Sequence, residues 1–447
     1  MERPRGEERA GRRAVDGAVR WCRIEGSPVK PLLRAAGRPR VAWADATTTL
    51  VAGGVAATVS AEGPDRFEHV RERAEAVFAG LEVPLDLPEA ARPRLYGGFA
   101  FHEGHADPGP GATWEGYPGA LFVLPAVQLS LANGHGWLTT AATGPDAAAR
   151  AERRLERWRD RLAALPDLGA VGPPGVADSR PTPSLAGWRR QVTDATASVR
   201  RGDLRKVVLA QSLEVDLADE LDVVDTLDRL SDTYPGCFRF LVEPERGGAF
   251  FGATPERLVS LEGRTVQTEA LAGSTGRGDT PAEDEWLASE LRDSEKDVHE
   301  HELVADAVRD QLAPLAASIR TGTRTVRRLA TVQHLRTPMQ ATLTRDEHVL
   351  TLVEALHPTP AVGGLPPDEA LRTIRETEAF DRGWYAAPVG WFDAAGDGTF
   401  GVAIRSALAR RDAATLFAGA GIVADSDPDS EWDELQLKYR PVMDELE

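Results

Sequence analysis

Short runs with apolar residues at alternate positions dominate this chain, and longer runs with helical spacing fall between them. "GALFVLPAVQLSL" (119–131) has the pattern of a long strand. "CFRFLVE" (237–243), "GAFFGAT" (248–254), "RLVSLEG" (257–263) and "RTVQTEA" (264–270) predict four more in close succession. Helical spacing marks an arginine-rich amphipathic segment at 147–165, a second at 185–204, a block at 282–317, and a further helix before "HPTPAVGG". Between the first two helices, "PDLGAVGPPGVADSRPTPS" (166–184) reads as a Pro- and Gly-rich linker. The segment 390–423 has the turn spacing of an antiparallel meander. Strands in runs, with helices between the runs, predict an α+β fold.

One strand carries a residue that does not fit its surroundings. In "RKVVLAQS" (205–212), Lys206 shares a face with Val208, where a permanent charge is badly placed. The chain holds 52 Lys and Arg residues, yet its only lysines are Lys30, Lys206, Lys296 and Lys438. Arginine keeps its proton in a protein, whereas a partly buried lysine can lose it and act as a base. The plainer alternative is an edge-strand lysine that reaches water and discourages strand pairing.

Composition narrows the classes of function. The 447 residues are 42% hydrophobic and 27% charged, as in a soluble globular protein. A formal net charge of −18 argues against nonspecific binding to nucleic acid or to anionic membranes. Cys22 and Cys237 are too few for a disulfide framework or a cysteine zinc site. The start, "MERPRGEERAGRRAVDGAVR", lacks the apolar stretch of a signal peptide, and no run approaches the length of a membrane span. A cytoplasmic location is expected.

Two acidic segments carry candidate chemistry. In "SEKDVHEHELVADAVRDQL", Ser294 can cap a helix, with Asp297 in a capping-box position. Glu300 falls on the face of Leu303, Val304, Ala307 and Val308, where a carboxylate needs a cation or a metal unless the helix end opens to solvent. Asp297, one turn earlier, can support the same ion. "HEH" is not a zinc motif, because His299 and His301 point to different sides of the helix. Oxygen ligands alone suit Mg²⁺ better. In "DSDPDSEWDELQLKYRP", Ser430 can cap a short helix with Glu431, Glu434 and Lys438 on one face; a surface Glu434–Lys438 pair is the competing reading. "FAGAGIVADS" lacks the third glycine of a dinucleotide fingerprint and "LAGSTGRGDT" lacks a P-loop's Gly-Lys-Ser/Thr, although exposed amides in either can bind a carboxylate. The Arg277–Asp279 "RGD" is read as chance. "TPERL" places Glu256 just after a proline that favours a turn.

Taken in order, "KVVLAQS", "GATPERL", "TEALAGS", "HEHELV", "HPTPAVGG", "YAAPVGW", "VAIRSA" and "AGAGIVADSDPDSEWDELQLK" resemble the chorismate-utilising enzymes, a family that includes isochorismate, salicylate, anthranilate and aminodeoxychorismate synthases. The likeness is dense over 185–445 and thinner before it. It implies one co-folded unit with large antiparallel sheets and helices packed outside. A β-rich portion, 1–180, would fold together with a chorismate-binding catalytic portion, 181–447.

The resemblance also implies roles. Lys206 matches the general base of the members that add water to chorismate, where ammonia-using members have glutamine. Ala272 stands where aminodeoxychorismate synthases carry a nucleophilic lysine. Conversion of chorismate to isochorismate is therefore the expected reaction, with Glu256 as the general acid that protonates the departing C4 hydroxyl. Salicylate synthase chemistry, which goes on to eliminate pyruvate, is compatible with the same residues. An ammonia-using synthase component is a less favoured alternative, and a noncatalytic chorismate-binding regulator would lack the acid, the base or a metal ligand. Glu300 and Glu434 match the Mg²⁺ ligands, supported by Asp297 and Glu431. Arg405 matches the arginine that grips the enolpyruvyl carboxylate. Lys438, Gly273, Gly419, His334 and Tyr385 match other substrate-binding positions. The resemblance further implies a monomer that needs no glutaminase subunit, with menaquinone formation as the favoured use of the product.

Overall fold

The computed structural model describes residues 16–165 and 169–447. Its framework is a set of antiparallel strands that forks at one long strand, Ala120–Ala132. One edge of that strand pairs along its length with Thr48–Ala61. The other edge is divided, its first half pairing with Arg94–Phe99 and its second half with His135–Thr143. Two sheets therefore diverge from a shared seam, and their facing sides bury aromatic residues such as Phe99, Phe122, Phe392 and Phe400.

Beyond Thr48–Ala61, the first sheet continues through Arg40–Ala44, Phe238–Glu243, Ala249–Thr254, Ser406–Arg410, Ala413–Ile422 and Lys206–Leu217. Beyond Arg94–Phe99, the second continues through Pro388–Asp393, Gly398–Val402, Arg257–Glu262, Thr265–Gly276 and Val332–Leu343. Strands from the first 180 residues thus pair directly with strands from the rest. The helix Glu295–Leu312 packs on the strand Thr265–Gly276, and the helix Pro428–Met443 packs on Ala413–Ile422. The far ends of the two sheets and these two helices surround one pocket.

Several expectations are corrected. Within 166–184, residues 166–168 lie outside the described residues, and Val176–Thr182 is a strand paired with Lys206–Leu217. Its exposed, Pro-containing edge position explains why its composition reads as a linker. The block at 282–317 is two helices, Pro281–Asp293 and Glu295–Leu312, and Ala316 already opens a strand. The break falls at Ser294, whose hydroxyl accepts from the Asp297 amide, as the capping signal predicts. At the C-terminal helix the cap is Asp427, not Ser430: the Asp427 carboxylate accepts from the amides of Asp429 and Ser430. That helix is also longer than expected, running to Met443. The Arg277 side chain of "RGD", read as chance, is partly exposed and bound to Asp284, so this reading is not among those corrected.

Candidate active site

Lys206 is the first residue of the strand Lys206–Leu217, which is not a sheet edge. It has Ala413–Ile422 on one side, with Val176–Thr182 and the short strand Gly364–Leu365 on the other. The side chain is 1% exposed, so the reading of a lysine that reaches water is overturned. Its Nζ lies 2.8 Å from Glu300 Oε1, which the helix Glu295–Leu312 delivers from across the pocket. Burial pushes the Glu300 carboxyl up, but the charge and hydrogen bond of Lys206, with the charges of Lys438 and Lys296, together hold it below the usual range.

Glu256 occupies the turn between the strands Ala249–Thr254 and Arg257–Glu262 and is buried. Its carboxyl is pushed up to about 8, first by burial and then by the nearby Glu269, against the pull of Lys206, Arg405 and Lys438. At neutral pH it carries its proton. Glu256 and Lys206 line the same pocket, and so do Gly273, Asp297, Glu300, His334, Tyr385, Arg405, Gly419, Glu431, Glu434 and Lys438. Every site residue expected from the sequence is therefore gathered in one place.

The groups able to hold an anion centre on Arg405, which links the strand Gly398–Val402 of the second sheet to Ser406–Arg410 of the first. Arg405 sits between strands in a left-handed conformation, φ 54°, that turns its side chain inward. Its guanidinium is buried, with Nε lacking a partner and one Nη 3.5 Å from His334 Nε2. A buried guanidinium with an unmet donor invites a carboxylate. Burial and then Arg405 hold His334 well below its ordinary range, so the imidazole is neutral. Because arginine only donates, Nε2 accepts and the proton sits on Nδ1, 2.8 Å from Ser274 Oγ. Tyr385 stacks on Phe417, and burial pushes its hydroxyl up to about 12, so it remains a phenol.

Backbone geometry explains the glycines. Gly273 has φ +72° at a bulge between Ala272 and Ser274, which leaves it out of the strand pairing. Gly419 lies opposite Ala210, whose amide donates to Glu378 instead of across the strands. The Gly419 peptide groups therefore point to the open edge, where the carbonyl accepts from Lys438 Nζ at 2.7 Å. At Gly421, an added Cβ would lie 2.7 Å from Glu300 Oε1 and 2.8 Å from Lys206 Cε.

Lysines and carboxylates alternate around the rim. Lys438 is 2.5 Å from Glu434, and Lys296 is 3.4 Å from Glu431. Three of the chain's four lysines thus line this pocket. Burial first, and Glu434 second, push the Glu431 carboxyl up to about 7. Burial likewise raises Asp297, which accepts from Ser294 Oγ at 2.5 Å. The donor set is all oxygen, and its crowded carboxylates would be relieved by a hard divalent cation, so Mg²⁺ fits in chemistry. Among the described residues no three His, Cys, Asp or Glu side chains converge on one point, because Glu300 and Glu434 are turned to their lysines.

Sequence reasoning does not single out Lys296, Gly421 or Arg382, which also line the pocket. Arg382 is 1% exposed and is paired with Glu378 at 2.5 Å. It also donates to the carbonyls of Val362 and Val208, each at 2.8 Å. This buried ion pair therefore braces the part of the wall formed by Val208 and Val362, and lysine scarcity, the signal that marks Lys206 and Lys438, offers no hint of it.

Known proteins share this framework. The model of the chorismate binding enzyme family matches residues 30–447. The salicylate biosynthesis isochorismate synthase of Pseudomonas aeruginosa is 37% identical over 422 residues, 91% of this chain and 85% of that protein. Isochorismate synthase MenF of Bacillus subtilis is 35% identical over 363 residues, 80% of this chain and 75% of the other. In fold, the chain is similar to MenF, the menaquinone-specific isochorismate synthase from Escherichia coli. The TM-score is 0.80 at 23% identity, covering 98% of this chain and 97% of that one. It is also similar to a putative 2,3-dihydroxybenzoate-specific isochorismate synthase, DhbC, from Bacillus anthracis. There the TM-score is 0.73 at 27% identity, over 94% and 99% of the two chains.

Proposed function

The chain belongs to the chorismate-binding enzyme family, and from that premise we propose that it is an isochorismate synthase in which Lys206 activates water and Glu256 protonates the leaving group. The reaction moves the hydroxyl of chorismate from C4 to C2. Water attacks C2 as its proton passes to the neutral amine of Lys206, the ring double bonds shift, and the C4 hydroxyl leaves as water with the proton of Glu256. The observation that carries this reading is that two buried groups of opposite task, Glu256 and Lys206, line one pocket; burial holds the Glu256 carboxyl up to about 8, as a general acid requires.

Arg405, with its unmet donor, suits the side-chain carboxylate of chorismate. The open-edge amide of Gly419, the unpaired Gly273 and the neutral His334 give donors and an acceptor around the ring. Tyr385, Lys438 and the Lys206–Glu300 pair bound the remaining walls. Glu300 and Glu434 would hold Mg²⁺, with Asp297 and Glu431 close by. Bound there, the ion supplies positive charge to the ring carboxylate beside acidic side chains. A Glu300 carboxylate that held the ion would no longer be the partner of Lys206 Nζ, which would leave the amine free to face water. Water as the nucleophile leaves no task for an ammonia-supplying subunit, so the enzyme is assigned no glutaminase partner and is taken to act as a monomer.

No helix among the described residues is long and apolar enough to cross a membrane, and the two cysteines are free. Both support placement in the cytoplasm. Likeness to relatives bearing the MenF name supports menaquinone formation as the use of the product.

The test is product identification after incubation with chorismate and Mg²⁺ in the absence of ammonia. A chorismate–isochorismate mixture supports the reading. Salicylate with pyruvate, or conversion only when ammonia is present, overturns it. Mg²⁺ is checked separately by heat denaturation: the ion raises Tm of the wild-type protein and leaves that of Glu300→Ala unmoved.

A further inference from the structure

Behind Glu256, on the side away from the substrate, the carboxylate of Glu269 is held between two guanidiniums. Arg327 lies 3.1 Å from Oε1 and Arg336 lies 2.5 Å from Oε2. The Glu269 side chain is 4% exposed, and neither it nor either arginine lines the substrate pocket. What they hold is the backbone on both sides of the acid. Arg327 Nη1, which meets Glu269, also donates to the carbonyl of Pro255 at 2.7 Å. The Arg257 amide donates to Glu269 Oε1 at 3.3 Å. Arg327 Nη2 ties the assembly to Gly236 through its carbonyl, at 2.6 Å. Glu256 itself adds two bonds, its amide to Thr254 Oγ1 and its carbonyl from the Val402 amide.

A turn that presents a general acid has to fix the peptide units before and after it, because an error of about 1 Å in placement costs about a hundredfold in rate. Here both units are fixed by one ion pair. We propose that Glu269 and Arg327 are positioning residues for the general acid, clamping the Pro255–Arg257 turn so that the Glu256 carboxyl meets the departing hydroxyl. This rests on the assignment of Glu256 as the acid. The clamp also has an electrostatic side. The charged groups that act most on Glu256 are the cations Lys206, Arg405 and Lys438 and the anion Glu269, with the neutral phenol of Tyr385 in the same pocket. Of those four charged groups only Glu269 favours the protonated acid, so its removal tilts Glu256 towards ionisation.

The experiment compares steady-state pH profiles of the wild type, Glu269→Gln, Glu269→Asp, Arg327→Met and Glu256→Gln, each checked for folding by heat denaturation. For Glu269→Gln, kcat falls about tenfold to a hundredfold. Its KM for chorismate stays within about twofold, because no substrate contact is touched. Its alkaline limb of kcat moves to lower pH. Glu269→Asp, which keeps the charge, restores the limb, and Arg327→Met lowers kcat with KM again little changed. Should Glu269→Gln fail to fold, the KM-against-kcat split of Arg327→Met decides. Wild-type kcat and an unmoved limb in Glu269→Gln, beside an inactive Glu256→Gln, overturn the clamp alone. A fully active Glu256→Gln instead removes the premise on which the clamp rests.

Discussion

Lys206 Nζ and Glu300 Oε1 meet 2.8 Å apart at a point left open only because residue 421 is glycine. The base and an expected metal ligand are thus each other's partners, and the strand, the helix and the glycine that bring them together lie far apart in the chain. This contact makes a lysine intelligible where the pattern calls for an apolar residue.

Replacing Lys206 by arginine keeps a cation beside Glu300 but removes a group able to give up its proton. Lys206→Arg is expected to fold and to lose at least about a hundredfold in kcat, within the range for a lost general base. Heat denaturation and kcat measured on the same preparation check this. Near-normal turnover would dissociate the lysine from catalysis.

Gly421→Ala puts a methyl group on the contact itself, 2.7 Å from Glu300 Oε1. The neighbours in its way are two side-chain ends, which can move, so the fold survives while the pairing does not. The expected result is a large fall in kcat with a small change in Tm. Unchanged kcat would show that the pair can shift without consequence.

Glu256 sets the alkaline side of the pH profile. Its folded carboxyl titrates at about 8, so activity falls as the pH rises through that value. Stability carries the same sign. A carboxyl whose pKa is raised by folding binds its proton more tightly in the native state, so its contribution is full below the ordinary carboxylate range and is lost as pH rises towards 8. Glu256→Gln removes this dependence: the variant has little activity and a higher Tm than the wild type at pH 9. Denaturation scans at pH 6 and pH 9 distinguish this from an ordinary loss of packing.

Much of the site is legible in the chain itself. The strand around Lys206, the Ser294 cap and the grouping of Glu431, Glu434 and Lys438 each follow from residues a few positions apart, and local spacing reports such features well. The family motifs locate the remaining candidate residues, which line one pocket. What local pattern cannot report is which side chains meet across elements. Lys206 also reads as an edge residue because nothing near it announces that Gly364–Leu365 and Ala413–Ile422 pair on either side of its end of the strand. Asp427 escapes notice as a cap because Ser430 is an equally good capping residue and only the start of the helix decides between them. Nothing in the pattern around Glu378 and Arg382 marks them, and only the fold buries them.

That buried pair carries the clearest expectation for stability. Arg382→Met leaves the Glu378 carboxylate buried without its cation and frees the Val362 and Val208 carbonyls. Breaking one side of such a pair costs about 3–5 kcal/mol. Denaturant unfolding should show that loss. A loss below about 1 kcal/mol, the size seen for surface pairs, would mean that the pair does not support the pocket wall.

The origin of the new oxygen separates water addition from every other route. The protein is incubated with chorismate and Mg²⁺ in oxygen-18 water, and the isochorismate formed at early times is analysed by mass spectrometry. If Lys206 activates water, each isochorismate molecule carries one heavy oxygen, on C2, and Lys206→Ala forms none. Isochorismate that retains only the light oxygen would mean that the hydroxyl travels within the molecule, and Lys206 and Glu256 could not then be the base and the acid of a water addition.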